Sequence, residues 1–393
     1  MFSIFPIKGY MDQIDGFYFD GIHAGLKKDN AYDMGFIYSD SLCEVEAVFT
    51  NNKFQAAPLR HYSLYEKGFK TNFVLINAKN ANAMTGQKGI EDITDIFSSL
   101  NHDLINPIMS STGVIGSRLP KDKIIKAANA FDFKHKNAKN LSEAIMTTDA
   151  YAKNCMYEVK LEDGTSFKIG AVAKGAGMIN PNLATMLCFI CTDAAVPKEH
   201  MKEALSEASL TTFNAISVDG DTSTNDTVLL LSNQKSNAYD KEAFKEALRL
   251  VMHDMAMLMV SDGEGAKKMA AFEVLNAFNY EEAQLAAKAL SNSLLVKTAL
   301  FGEDPNFGRI ASTIGASRIT CAEETLKIYY NDVLVYSCGE ILFDEINEEK
   351  ASKVLALDKY KITCDIGQGK ESFTAYGCDL GYKYVEINAD YRT

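Results

Sequence analysis

Two alternating runs that turn back on themselves constrain this chain more than any other feature. In YEVKLEDGTSFKIG (157–170), Tyr157, Val159 and Leu161 oppose Phe167 and Ile169 across Asp163-Gly164. Apolar residues at period two, interrupted by Asp-Gly, predict a two-residue β-hairpin. LKIYYNDVLVYSCG (326–339) repeats the form around Asn331-Asp332, and further strands are expected at FVLIN (73–77) and YVEINA (384–389). Helical patterns lie between them. PKEHMKEALSEAS opens on Pro197, where a missing N–H costs nothing. KEAFKEALRLVMHDMAMLMVSDG (241–263) puts Phe244, Leu248, Val251, Met255, Leu258 and Met259 on one stripe and ends at Gly263. That methionine-rich stripe reads as core. EEAQLAAKALSNSLLVKTA (281–299) reads as one more helix. Strand pairs and amphipathic helices in both halves predict an α/β (α+β) chain of layered sheets covered by helices.

With 393 residues, 47% of them hydrophobic, the chain can bury one large core or two. A net charge of −12 repels nucleic acid and anionic membrane and favours cationic or zwitterionic small partners. The first residues are interrupted by Asp12, Asp15 and Asp20, unlike a signal peptide, and no run reaches the ~18–20 apolar residues of a membrane span. A cytoplasmic protein with reduced thiols is therefore expected. Cys188 and Cys191 form a C-x-x-C, but inside the apolar run LCFIC and without a second pair, so burial is expected there.

Several motifs fail on inspection. GAGMIN (175–180) lacks the third glycine of a dinucleotide fingerprint, and GEGAKK (263–268) lacks P-loop spacing. Asp219-Gly220-Asp221 begins like a calcium loop, but its sixth position is Thr224 and its twelfth Leu230. The six histidines show no ligand spacing, and no G-x-S-x-G elbow occurs. No metal or cofactor is expected.

The segment GAGMINPNLATMLCFICTDA (175–194) leads a turn-prone approach to Thr185 behind Ala184. A threonine hydroxyl needs a base, and its own α-amine serves once the preceding bond is cut. Attack by the same hydroxyl on the Ala184 carbonyl, then hydrolysis, would free that amine. A threonine that merely begins a buried strand explains the pattern as well. MSSTGVIGS (109–117) is a small-residue turn in which Thr112 and Gly113 offer a hydroxyl and an N–H, as an oxyanion hole requires; an ordinary loop fits it too.

Taken together, the motifs resemble the ornithine acetyltransferases, or glutamate N-acetyltransferases of arginine biosynthesis. The resemblance runs nearly end to end: NANAMTG (80–86), STGVIG (111–116), IMTTD (145–149), AKGAGMINPNLATML (173–187), SVDGDTSTNDTVLLLS (217–232), DGEGA (262–266), VKTALFGEDPNFGRI (296–310) and INADYRT (387–393). It implies a DmpA/ornithine-acetyltransferase-like sandwich related to N-terminal-nucleophile folds. It implies self-cleavage at Ala184-Thr185 into fragments 1–184 and 185–393, paired twice over in a heterotetramer. Thr185 would be the nucleophile, Thr112 and Gly113 the oxyanion hole. Substrate contacts would come from Thr148, Lys174, Thr185, Glu264, Asn388 and Thr393. The implied reaction moves acetyl from N²-acetylornithine to glutamate through an acetyl-threonine ester, with acetyl-CoA as a further donor left open.

Departures from the family pattern occur at Ala78-Lys79, Ala150, Lys267 and Phe307. Lys267 lies three residues after Glu264, a helical spacing at which the two would pair and loosen the hold on ornithine. Two other readings stay open: an N-terminal-nucleophile amidohydrolase or aminopeptidase that passes the acyl group to water, and an unprocessed amino-acid-binding protein.

Overall fold

The computed structural model describes residues 1–180 and 186–389, so Ala184, Thr185 and Thr393 lie outside the described residues. The chain divides into two compact units. The first takes Met1–Gly175, residues 186–214 and Thr222–Ala256; the second takes Ala176–Asn180, Ala215–Asp221 and residues 257–389. This division is distinct from a cut at Ala184-Thr185, because residues from both sides of that bond enter the first unit.

The first unit is built on a sheet whose early strands are β1 (Phe2–Pro6), β2 (Phe17–Ile22), β3 (Met34–Phe49) and β4 (Lys70–Asn77). Next come β5 (Ile108–Ser111), β6 (Lys153–Leu161), β7 (Ser166–Lys174) and β8 (Leu187–Thr192). β9 (Ile216–Ser217) belongs to the second unit, and β10 (Thr227–Ser232) completes the first. The order is β1-β6-β7-β8-β10-β3-β4-β5, with β2 also on β3. β8 runs parallel to β10 and β4 to β5; the other pairs are antiparallel.

FVLIN lies in β4, as its composition predicts. Phe73 and Leu75 enter one apolar cluster while Val74 and Ile76 enter another. A strand buried on both faces reads as a continuous apolar run. The helices Gly86–Ser98 and Lys121–Ala128 cover the Phe73 face with Ile90, Ile93, Ile96 and Ile124. Phe17, Phe19, Leu141 and Ile145 belong to the cluster on the other face. Full burial of each such side chain contributes about 1.5–3 kcal/mol. Cys188 and Cys191 are buried in β8, and burial pushes both thiols up, away from thiolate chemistry.

The predicted hairpin at 157–170 forms from β6 and β7, with a correction to its turn. The Leu161 N–H donates to the Thr165 carbonyl at 2.9 Å, so the loop has three residues, 162–164, rather than two. Asp163 Oδ1 accepts from both the Thr165 N–H at 2.9 Å and its hydroxyl at 2.6 Å, and Gly164 takes φ +86° to close the turn.

In the second unit the strands are β11 (Met269–Ala277), β12 (Lys327–Tyr330), β13 (Val333–Ser337), β14 (Glu340–Ile341), β15 (Lys359–Asp365) and β16 (Glu371–Cys378). Their order is β14-β13-β12-β15-β11-β16-β9. The second predicted hairpin is β12–β13, turning at Asn331. Phe272, Val274, Ile328 and Ile362 from the sheet join Leu290, Val296, Ile310 and Leu355 from four helices in one core.

The expected helix over 281–299 is two, Tyr280–Asn292 and Leu294–Phe301. Ser293 breaks it with ψ 113°, and its Oγ accepts the Val296 N–H as the cap of the second helix. YVEINA is also not a strand but part of the helix Tyr382–Ala389. Tyr384 and Asn388, whose side chains meet Asp219 and Glu264, are four apart and so share one helix face. The Lys241–Ser261 helix forms, with Phe244, Leu248, Val251, Met255 and Met259 of the predicted stripe fully buried and Leu258 only half-buried. Among the described residues no helix is long and apolar enough to cross a membrane.

Candidate active site

Thr112 and Gly113 follow the end of β5, where the chain folds against the loop after β4. The Thr112 N–H donates to the Asn77 carbonyl at 3.0 Å and the Val114 N–H to Lys79 at 3.1 Å. Between them Gly113 adopts φ +132°, and a Cβ there would lie 2.2 Å from the Lys79 carbonyl carbon. Two backbones pass too closely for any side chain, so the position needs glycine. Among the described residues nothing accepts the Gly113 N–H.

Buried asparagines hold these two loops together, a part of the site that motif reasoning passed over. Asn77 Oδ1 accepts from the Ser111 hydroxyl at 2.7 Å, and its amide donates to the Asn80 carbonyl at 2.8 Å. Asn225 Nδ2 reaches the Ala81 carbonyl at 2.6 Å and that of Ser111 at 2.8 Å. Asparagine can satisfy orphaned backbone groups in irregular chain. That was the available signal in NAKN (77–80) and STNDT (223–227), but the Ser111 and Ala81 partners are distant in sequence.

Lys174, the last residue of β7, is 9% exposed, and its Nζ donates to Thr112 Oγ1 at 3.5 Å. The Thr112 oxygen thus accepts from a cation, and its own proton can be donated onward. Beside this pair lie two enclosed carboxyls whose pKa values are shifted in opposite directions. Burial opposes ionisation of Asp149, but the Lys174 and Lys153 ammoniums and bonds from Lys153 and the Thr147 N–H outweigh it, holding its pKa far below the carboxylate range. Burial pushes Asp226 well up from the ordinary carboxylate value, against its bond from Ser223 and the Lys174 charge. Thr148 is half-buried next to Asp149.

The second unit contributes Glu264 and Asn388. Glu264 is 8% exposed; its N–H donates to the Ala176 carbonyl at 2.8 Å, and its Oε2 accepts from Asn388 Nδ2 at 2.6 Å. A Cβ on Gly177 would lie 2.5 Å from the Glu264 carboxyl carbon, so the bare glycine backbone makes room for the carboxylate. The approach segment is clamped rather than loose up to Ile179. The Met178 and Ile179 N–H groups donate to the Asp219 carboxylate at 2.6 and 2.9 Å, and Val218 N–H donates to the Ile179 carbonyl at 2.7 Å. The Tyr384 hydroxyl meets Asp219 at 3.2 Å, which ties down the helix that carries Asn388.

The expected pairing of Lys267 with Glu264 does not occur. Residues 262–268 are not helical, so a spacing of three does not put the two side chains on one face. Instead the Lys267 ammonium sits 5.6 Å from the Phe301 ring centroid, and its N–H donates to Asp379 at 2.8 Å. Among the described residues no group of acidic, histidine or cysteine side chains is arranged to hold a metal ion. Of the predicted site residues, the first unit brings together Thr112, Gly113, Lys174 and, through Asp149, Thr148; the second brings together Glu264 and Asn388.

The ArgJ family model matches residues 18–393. The arginine biosynthesis bifunctional protein ArgJ of Wolinella succinogenes is 58% identical over 396 residues, spanning 100% of both chains. A glutamate N-acetyltransferase of Methanopyrus kandleri is 39% identical over 392 residues, covering 95% of this chain and 99% of that protein. A solved structure of the bifunctional argJ protein from Bacillus halodurans is 40% identical, with a TM-score of 0.49 over 52% of this chain and 99% of that chain. Matched along nearly its whole length by the family model and by full-length relatives, the chain belongs to the ArgJ family of arginine-biosynthesis acyltransferases.

Proposed function

We propose that this protein transfers acetyl from N²-acetylornithine to glutamate by a ping-pong reaction through an acetyl ester on Thr185. The observation that carries the reading is the Thr112–Gly113 turn. It presents a hydroxyl whose oxygen accepts from Lys174 and a backbone N–H with no acceptor among the described residues. Such a pair is suited to a tetrahedral oxyanion and does not reorganise as charge develops.

In the proposed scheme the chain first processes itself. The Thr185 hydroxyl attacks the Ala184 carbonyl, and water hydrolyses the resulting ester, so that residues 1–184 end in a carboxylate and 185–393 begin with an amine. That amine has an ordinary pKa of about 7.7–8.0, which leaves a usable neutral fraction at pH 7. It takes the hydroxyl proton as Oγ attacks the acetyl carbon, with Thr112 and Gly113 donating to the oxyanion. The intermediate collapses by returning the proton to the ornithine nitrogen, which leaves as an amine. Glutamate then attacks the ester, and Thr185 Oγ recovers a proton. Acetyl-CoA as an additional donor would enter by the same first half-reaction.

Glu264 supplies the negative charge for a substrate ammonium, with Asn388 fixing its Oε2 and Thr393 completing the same end of the chain. Lys174 adds positive charge for the oxyanion and a substrate carboxylate, and Thr148 borders it. Two copies of each fragment would assemble as a heterotetramer.

The test is product formation with both substrates present. In the absence of acetyl-CoA, N-acetylglutamate should appear only with N²-acetylornithine and glutamate together, with parallel double-reciprocal lines. Thr112→Ala should lower kcat by about 10²–10³-fold with KM little changed. Acetate released in place of N-acetylglutamate would make water the acceptor and overturn the reading.

A further inference from the structure

Asp149 has no part in the reaction above, yet its side chain and that of Lys153 are both 0% exposed. Oδ1 accepts from Lys153 Nζ at 2.7 Å and from the Gly175 N–H at 2.7 Å, while Oδ2 accepts from the Thr147 N–H at 2.9 Å. The two backbone donors are informative in sequence. Thr147 precedes Thr148, and Gly175 follows Lys174. One carboxylate therefore fixes the backbone beside both residues, which are otherwise separated by β6 and β7.

Stability alone is a poor reason for this arrangement. Taking an ion pair out of water costs several kcal/mol per ion, and an apolar pair of equal volume often holds a fold as well. What an apolar pair cannot do is accept two backbone N–H groups in fixed directions. Nor can it place a negative charge beside the Lys174 ammonium, which in turn donates to the Thr112 hydroxyl.

We propose that Asp149 is a positioning residue. Its carboxylate sets the backbone at Thr147 and Gly175, and so places Thr148, Lys174 and, through Lys174, the Thr112 hydroxyl. It touches no substrate in this scheme and acts only through those neighbours. The inference rests on the acetyltransfer reading for its kinetic readout, but not for its second readout, cleavage.

Two variants approach the claim from opposite sides. Asp149→Asn alone removes a carboxylate that faces the buried Lys153 ammonium, so it is combined with Lys153→Met. Asp149→Glu keeps the charge and the Lys153 partner but lengthens the arm that holds the two N–H groups. In full-length protein, each should lower kcat for N²-acetylornithine by about 10²-fold, the effect of roughly 1 Å of misplacement. Each should also slow the appearance of the 185–393 fragment. Wild-type kcat in either folded variant would overturn the proposal. So would a lowered melting temperature with kcat and cleavage unchanged, because that is the signature of a purely structural ion pair. If the wild-type protein cuts itself but makes no N-acetylglutamate, the acetyltransfer reading fails. Cleavage then still decides the role of Asp149: slowed in both variants it stands, unchanged it falls.

Discussion

Gly177 carries no side chain, and the Glu264 carboxylate occupies the space one would fill. A Cβ there would lie 2.5 Å from the carboxyl carbon and 2.5 and 2.6 Å from its two oxygens. The collision is with the end of a side chain, which can swing away, so Gly177→Ala should fold. It should displace the charge proposed to hold the substrate ammonium. The expected result is a KM for N²-acetylornithine raised about tenfold, equivalent to about 1.4 kcal/mol, with a smaller change in kcat; steady-state kinetics on the purified variant would show it, and a wild-type KM would contradict it. At this scale the sequence was legible where one residue type has one physical use. MSSTGVIGS fitted an oxyanion hole or an ordinary loop equally, but its Gly113 marks a close backbone approach that only glycine allows. Gly177 was visible but read as flexibility, whereas its use is to admit a carboxylate. Asn77 and Asn225 were not legible as supports of the site. Their partners lie 34 and 144 residues away, and no spacing rule reaches that far.

Among the elements, the helix Tyr280–Asn292 shows how packing changes the chemistry of a residue. It holds Lys288 half-buried, with its Nζ donating to the Ile216 carbonyl at 2.7 Å, and loss of hydration lowers its pKa from 10.5 to about 7. Between those values the folded chain binds fewer protons at this site than the unfolded chain, so raising the pH stabilises the fold. This contribution is complete above about 10.5 and is lost as the pH falls through about 7. Thermal melts of wild type and Lys288→Met across pH 7–10 should therefore show the wild type gaining on the variant as pH rises. A constant difference would contradict the burial argument. Both hairpins and the Lys241–Ser261 helix were readable because their periods are long or their turns distinctive. The break at Ser293 was not, since one serine within an apolar helical pattern shows no break until its hydroxyl is seen capping the next helix. YVEINA is short enough to fit either period, and contacts from Tyr384 and Asn388 decide it.

For the whole molecule, the central question is what the proposed cleavage would do to a chain whose first sheet draws on both sides of the Ala184-Thr185 bond. β1–β7 come from 1–184, while β8 and β10 come from 185–393, and β7 pairs with β8 from Ile169↔Thr192 to Lys174↔Leu187. Cutting one peptide bond leaves that ladder intact, so the fragments should elute together under native conditions and separate only on denaturation. The measurement that tests the account most directly is the intact mass of denatured wild-type protein beside Thr185→Ala. The account predicts two wild-type masses that sum to the full chain plus one water and divide between Ala184 and Thr185, with one uncut mass for the variant. A single full-length mass for the wild type would mean that the base of the nucleophile is never released. Two fragments from Thr185→Ala would mean that the threonine does not make the cut, and either result would contradict the account.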